Sequence, residues 1–344
     1  MKTNIVNRLK KLGFNVNEED YEFLDKTPEL HSPILIGLGG SIAYGTNLPT
    51  SDVDLRGIAL HDKKDILLGS GFEQIVNEKT DTTIYSLKKV MGLLANCNPN
   101  VIELMGLKPE HYLYLSPEGK ALLDDKDMFL SNRCVNTFMG YANQQMYRLQ
   151  QKTLASLSEK ELNTHITKTI NGMKDTLAER YDVRGIDIHM KDDKIVCDLN
   201  IKDYPAEHLS GILSEINNVI RAYNKRSVRN DKAFEHGKIA KHSMHLLRLY
   251  MMCEDLLLYG EINTYRQKEH SLLMDIRNGK YLGEDGKPVK EFFDMVRDYE
   301  DRLDKAKEKS VLPDKPDFKR IDGFLMEINE KVLMPKRTKT RERD

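Results

Sequence analysis

Two hydrophobic rhythms run along the chain, and the change from one to the other divides it. In the first third the apolar residues come in short runs or alternate with polar ones. Residues 34–38 are almost continuously apolar, 53–60 alternate, and 82–86 are β-branched and alternating. Each run is bounded by Gly, Asn or Asp, so each reads as a short strand. Ile5, Val6, Leu9 and Leu12 instead recur at helical spacing. With a further acidic turn over 18–24, this helix is expected to cover one face of the sheet. Residues 87–94 predict another helix, the segment around Asn96 and Pro99 a turn, and 101–105 an apolar run that starts a helix after the proline.

From about residue 122 the strand signal fades and 3.6-residue periodicity takes over. Helices are predicted over 131–149, 164–181 and 207–223, with one or two charged helices over 286–334. Residues 186–199 interrupt them, because two alternating arms flank the polar turn Lys191-Asp192-Asp193 as in a hairpin. The pattern therefore predicts a mixed α/β domain over 1–125 and a helical domain over 126–334 with a β-hairpin insertion near 186–199. Residues 335–344 read as a basic, solvated tail.

Length agrees with this division, since 344 residues exceed one average domain. The charge is nearly balanced, 53 Lys and Arg against 54 Asp and Glu, so any surface attractive to nucleic acid must be local. One local candidate is the basic loop 224–229. Cys97, Cys134, Cys197 and Cys253 are widely separated and lack Cys-x-x-Cys pairing, which points to reduced thiols in a cytoplasmic protein. No secretory leader pattern and no long apolar span is evident, so membrane insertion is not expected.

The candidate chemistry sits at the first strand. Gly39-Gly40-Ser41 ends the apolar run, and Asp52-Val53-Asp54 follows. On a strand, alternate side chains share a face, so Asp52 and Asp54 are expected to project together while Val53 and Leu55 pack. Paired carboxylates call for a cation, and oxygen ligands suit Mg²⁺ or Mn²⁺. Glycines without Cβ allow backbone N–H groups close to a polyphosphate, and Ser41 adds a hydroxyl. His61 reads as a solvated loop residue, because no second His or Cys stands at ligand spacing. Farther on, Lys238, Lys241, His245 and Arg248 fall on one helical stripe. That stripe is either a wall for an NTP's phosphates or a solvated face.

The Gly-Ser turn followed by Asp-x-Asp resembles the nucleotidyltransferase domain of the DNA polymerase beta superfamily. More narrowly, Tyr44-Gly45-Thr46 and Asp52-Val53-Asp54-Leu55-Arg56-Gly57 resemble the RNA repair pathway DNA polymerase beta family. The basic helix, the turn over 258–262 and the segment 272–279 are similar too, so the resemblance spans about residues 30–280. It implies a third carboxylate on a neighbouring strand, for which Asp81 is the matching position, ahead of Glu73 and Glu78. The alternative for Asp81 is a turn residue at the start of its strand. Glu103 reads as a buried or capping acid.

The implied activity is Mg²⁺- or Mn²⁺-dependent transfer of a nucleoside monophosphate from an NTP such as ATP to an acceptor hydroxyl. Asp52, Asp54 and Asp81 would be the metal-holding and catalytic residues, and Gly40, Ser41 and the basic stripe would bind the nucleotide. RNA is the acceptor the resemblance favours. Transfer to a protein hydroxyl, as in antitoxin nucleotidyltransferases, and a non-catalytic NTP- or RNA-binding module are the rival readings.

Overall fold

The computed structural model describes residues 1–154, 174, 186–191, 194–199, 213, 236–284 and 286–334. The helices anticipated over 164–181 and 207–223, the basic loop 224–229 and the tail 335–344 lie outside the described residues, apart from the single positions 174 and 213.

The N-terminal part runs α1 (Lys2–Lys11), α2 (Phe23–Lys26), β1 (Pro33–Leu38), α3 (Gly40–Tyr44), β2 (Leu55–Ala59), α4 (Lys63–Leu68), β3 (Gln74–Asn77), β4 (Thr82–Ser86), α5 (Leu87–Ala95), α6 (Pro99–Ile102), β5 (Tyr112–Leu115) and α7 (Pro117–Asp124). The five strands form one mixed sheet in the order β3-β4-β2-β1-β5. Strands β2 and β4 run parallel and the other neighbours antiparallel. The second part contains α8 (Arg133–Leu154), the hairpin β6 (Ile186–Lys191) and β7 (Lys194–Leu199), α9 (His236–Tyr259), α10 (His270–Arg277), α11 (Lys290–Lys309) and α12 (Phe318–Leu333). A mixed α/β chain with a five-stranded mixed sheet and many helices is the fold class the two periodicities predicted.

Each sheet face has its own cover. Ile5, Val6 and Leu9 of α1, with Tyr21, Leu24 and Leu30, pack on Ile36, Leu38, Leu55, Ala59 and Ile84. The helical spacing of α1 thus does the work expected of it. On the opposite face Leu35, Tyr44 and Ile58 join α5, α8 and α9 in a single apolar core that continues into α11 and α12. The sheet and the helical part are therefore welded by burial, the dominant favourable contribution to folding. Among the described residues no helix is long and apolar enough to cross a membrane.

Several local expectations are corrected. Strands β3 and β5 were not anticipated, because each is only four residues long and lies at a sheet edge, where burial leaves a weak pattern. The loop expected after His61 contains α4, started by the Asp62 side chain, which accepts from Asp65 N at 2.8 Å. His61 is not solvated but half-buried. Its Nε2 lies 2.9 Å from Phe72 O and its ring meets Phe72 edge-on, so it clasps this loop. Asp52 and Asp54 are not inside a strand, since β2 begins at Leu55.

Candidate active site

The site forms where the turn after β1 crosses the starts of β2 and β4. Gly39 N donates to Asp54 O at 2.8 Å, which ties the turn to the segment entering β2. Gly40 takes a left-handed φ of 55°, and a Cβ there would overlap Asp54 Oδ2. Glycine is thus required twice, for the backbone angle and for the close approach to a carboxylate. Gly40→Ala is expected to push Asp54 out of place. Any cation-binding signal measured in the wild type should drop in that variant, while far-UV circular dichroism stays unchanged.

Parallel pairing supplies the second carboxylate. The register sets Leu55 opposite Thr82, so the preceding residues, Asp54 and Asp81, come side by side. Leu55 N donates to Asp81 O at 3.2 Å, and Asp81 has the left-handed φ of 40°, uncommon outside glycine. The two carboxyls lie near enough for each to shift the other's titration. Arg56, two residues past Asp54, donates from Nη1 to Asp81 O at 2.6 Å and from Nη2 to Asp81 Oδ1 at 3.2 Å. Asp52 stays exposed on the loop before them. Among the described residues no three His, Cys, Asp or Glu side chains gather closely enough to hold a metal ion. Of the three carboxylates singled out, the fold therefore pairs Asp54 with Asp81 and leaves Asp52 apart.

Burial raises the Asp54 carboxyl to about 7, helped by the hydrogen bond and charge of Asp81 and opposed by Arg56 and Lys241. Asp81 moves the other way, lowered chiefly by accepting from Asp54 and then by Arg56 and Lys241, against the opposing effect of burial. The pair thus holds one proton near neutrality, carried by Asp54. A carboxyl raised in the fold destabilises the native state as pH climbs from about 4 to 7, because the unfolded chain gives up its proton first. Asp81, being lowered, titrates below this window. The full Asp54 shift corresponds to about 4 kcal/mol, and solvent access to this partly exposed group reduces it to roughly 2 kcal/mol. Metal-free protein is therefore expected to lose stability between pH 4 and 7, and Asp54→Asn to lose less, as read by denaturant titration.

The opposite wall is α9. Lys241 is exposed, and its charge lowers both Asp54 and Asp81. Lys238 sits in the first turn of the same helix, its side chain outside the described atoms. Arg248 is only 8 % exposed; its guanidinium lies 3.3 Å from the centroid of the Tyr44 ring, and Nη2 donates to His245 Nδ1 at 2.7 Å. Tyr44 in turn donates to Glu103 Oε2 at 2.8 Å. Burial raises the Glu103 carboxyl, while Arg248, the Tyr44 hydroxyl and Arg56 restrain the rise. The stripe is thus divided: Lys241 acts on the carboxylates only through its charge, whereas Arg248, with His245 on its guanidinium, braces α3 through Tyr44. Ser41 is half-buried beside Gly40 in the first turn of α3.

Behind this wall, residues 262–270 clamp the end of α3. Gly45 has a φ of 71°, and a Cβ there would run into the Tyr265 ring. His270 Nε2 donates to Gly45 O at 2.7 Å, and Thr264 Oγ1 donates to Glu103 O at 2.9 Å. Sequence reasoning quoted Tyr44 and Arg56 within the family-like motifs but gave them no role, and it did not single out this clamp. Arg56 carried a usable signal, as the one basic residue in an otherwise acidic and apolar segment, two positions after Asp54.

The profile of the RNA repair pathway DNA polymerase beta family matches residues 31–327, from the approach to β1 through most of α12. The chain belongs to this family. Membership explains why the Gly-Ser turn and the acidic segment occur together, and it points to nucleotidyltransferase activity. An uncharacterized 38.9 kDa protein of the nrdC-mobD intergenic region of Enterobacteria phage T4 is similar as well, 22% identical over 331 residues. That match covers 84% of this chain and 94% of the phage protein. No solved structure matches the chain.

Paired carboxylates of this kind are a donor set that fits a hard divalent ion. Asp54 and Asp81 offer only oxygen, stand close enough to share a proton, and lie under a glycine cradle that a Cβ would fill.

Proposed function

We propose that the protein is a metal-dependent nucleotidyltransferase that moves a nucleoside monophosphate from an NTP to an acceptor hydroxyl on RNA and releases pyrophosphate. The observation that carries this reading is the parallel register of β2 and β4. It sets Asp54 and Asp81 together beneath the Gly39-Gly40 turn and opposite Lys241. Asp54 and Asp81, with Asp52 from the preceding loop, would hold Mg²⁺ or Mn²⁺ in this reading. The ion supplies a lowered acceptor pKa and neutralises charge on the departing phosphates. The acceptor oxygen bonds to the α-phosphorus, the bond to the bridging oxygen breaks, and the hydroxyl proton leaves through the carboxylate pair.

The remaining roles belong to the same proposal. Backbone N–H groups at Gly40 and Ser41 approach the triphosphate, with the Ser41 hydroxyl as a further donor. Lys241, and Lys238 one turn earlier, supply positive charge from the opposite wall. Arg248 and His245 hold that wall against Tyr44 and so act on the nucleotide indirectly. The family's association with RNA repair supports RNA as acceptor.

The test is incubation with each labelled NTP, Mg²⁺ or Mn²⁺, and separate pools of RNA and protein. Label on RNA with release of pyrophosphate is expected. Label confined to protein would move the acceptor to a protein hydroxyl, and no transfer with any NTP would overturn the enzymatic reading.

A further inference from the structure

Arg56 occupies a place the transfer reaction does not account for. Its guanidinium is mostly buried and holds Asp81 by both its backbone carbonyl and its carboxylate. The same Nη1 also donates to Leu55 O at 2.9 Å, so the head group is fixed at three points around the start of β2. Its stem is equally confined, because a Cβ added to Gly39 would come within 3.0 Å of Arg56 Cγ. The contacts therefore leave little freedom to an otherwise flexible side chain.

Two adjacent carboxylates need positive charge nearby, and in this arrangement Arg56 provides it from within the chain. A divalent ion entering the same pair is repelled by the guanidinium and competes with it for Asp81 Oδ1. The backbone contact to Asp81 O does not compete, since that carbonyl already belongs to the junction of β2 and β4. A fixed cation of this kind has two opposed effects: it stabilises the metal-free fold and weakens the ion's hold.

We infer that Arg56 is the resident counter-cation of the carboxylate pair, holding Asp81 beside Asp54 in the metal-free protein and setting a deliberate ceiling on divalent-ion affinity. This rests on the metal-site reading proposed above. Its consequence is a site that binds its ion firmly only when further negative charge arrives, which a nucleoside triphosphate carries. Linkage makes the effect reciprocal, so the NTP and the ion each tighten the other's binding.

Arg56→Met tests it in the full-length protein, because methionine keeps the apolar stem and removes the charge. Mn²⁺ affinity, read by electron paramagnetic resonance without nucleotide, is expected to tighten about tenfold, as loss of a nearby like charge predicts. The melting temperature should fall in metal-free buffer and recover more than the wild type on Mn²⁺ saturation. Arg56→Lys, which retains the charge but not the fork, should keep an affinity within about threefold of the wild type. Unchanged or weaker Mn²⁺ binding in a folded Arg56→Met protein would overturn the inference while leaving the metal site intact. The metal-site reading itself fails separately, if wild-type protein binds no Mn²⁺ or if Asp54→Asn binds it equally well. Should Arg56→Met not fold without metal, folding on addition of Mn²⁺ supports the counter-cation role and failure to fold with it refutes that role.

Discussion

Asp54→Asn is expected to reduce nucleotide transfer by about a thousandfold or more, since a bound metal ion contributes several kcal/mol of transition-state stabilisation and each 1.36 kcal/mol is a factor of ten. Asn keeps the shape and one oxygen, so the turn packed on Gly40 should survive. What it removes is the charge that a divalent ion needs. The loss should therefore appear in the chemical step more than in NTP binding, because the contacts proposed for Gly40, Ser41 and Lys241 would remain. Single-turnover rates at saturating NTP and Mg²⁺, set beside the NTP dissociation constant, measure the two separately. A variant that retains a tenth of wild-type turnover would remove Asp54 from the metal site. The structural pairing makes Asp81→Asn the natural companion, with Asp52→Asn expected to do least because Asp52 stands apart on an exposed loop.

The largest stability effect is expected from Arg248→Ala. The guanidinium is 8 % exposed against the Tyr44 ring, and Glu103, 7 % exposed, takes the Tyr44 hydroxyl's hydrogen bond. Truncation removes a desolvated cation–π contact and strips a buried carboxylate of its nearby positive charge. Together these are worth about 3 kcal/mol, from the cost of leaving a buried charge uncompensated and the value of a desolvated cation–π pair. At this chain length the melting temperature should fall by roughly 4 °C. The deficit should also depend on pH in a fixed direction. Glu103 is already raised by burial, and losing Arg248 raises it further, so its penalty is present above the folded pKa and fades as pH drops through it. Melting curves at pH 5 and pH 8 check this, with the larger gap between variant and wild type at pH 8. An Arg248→Ala protein with unchanged stability and weakened NTP binding would return Arg248 to a direct phosphate contact.

Much of the scaffold follows from residue order alone. The apolar run before Gly39, the alternation through Thr82–Ser86 and the helical spacing of Ile5, Val6 and Leu9 each specify an element because backbone geometry sets the side-chain period. Gly40 and Asp54 were candidates from the Gly-Ser turn and the acidic segment that follows it, whereas Asp81 entered only through the family resemblance. Short edge strands such as β3 and β5 were not legible, as four residues with one protected face leave little periodicity to read.

Tertiary structure decided which of these groups meet. Strand period alone predicts that Asp52 and Asp54 act together, but β2 starts only at Leu55, and outside a paired strand the two-residue rule no longer sets direction. The partner of Asp54 is instead Asp81, chosen by the Leu55–Thr82 register, a pairing between distant segments that no local pattern encodes. The fate of the basic stripe is similar. Helical spacing shows that Lys241 and Arg248 share a face, yet not that Tyr44 and Glu103 lie against one end of it while the carboxylates lie near the other. A local period fixes direction relative to the helix axis, and only packing against the rest of the chain determines what stands in that direction.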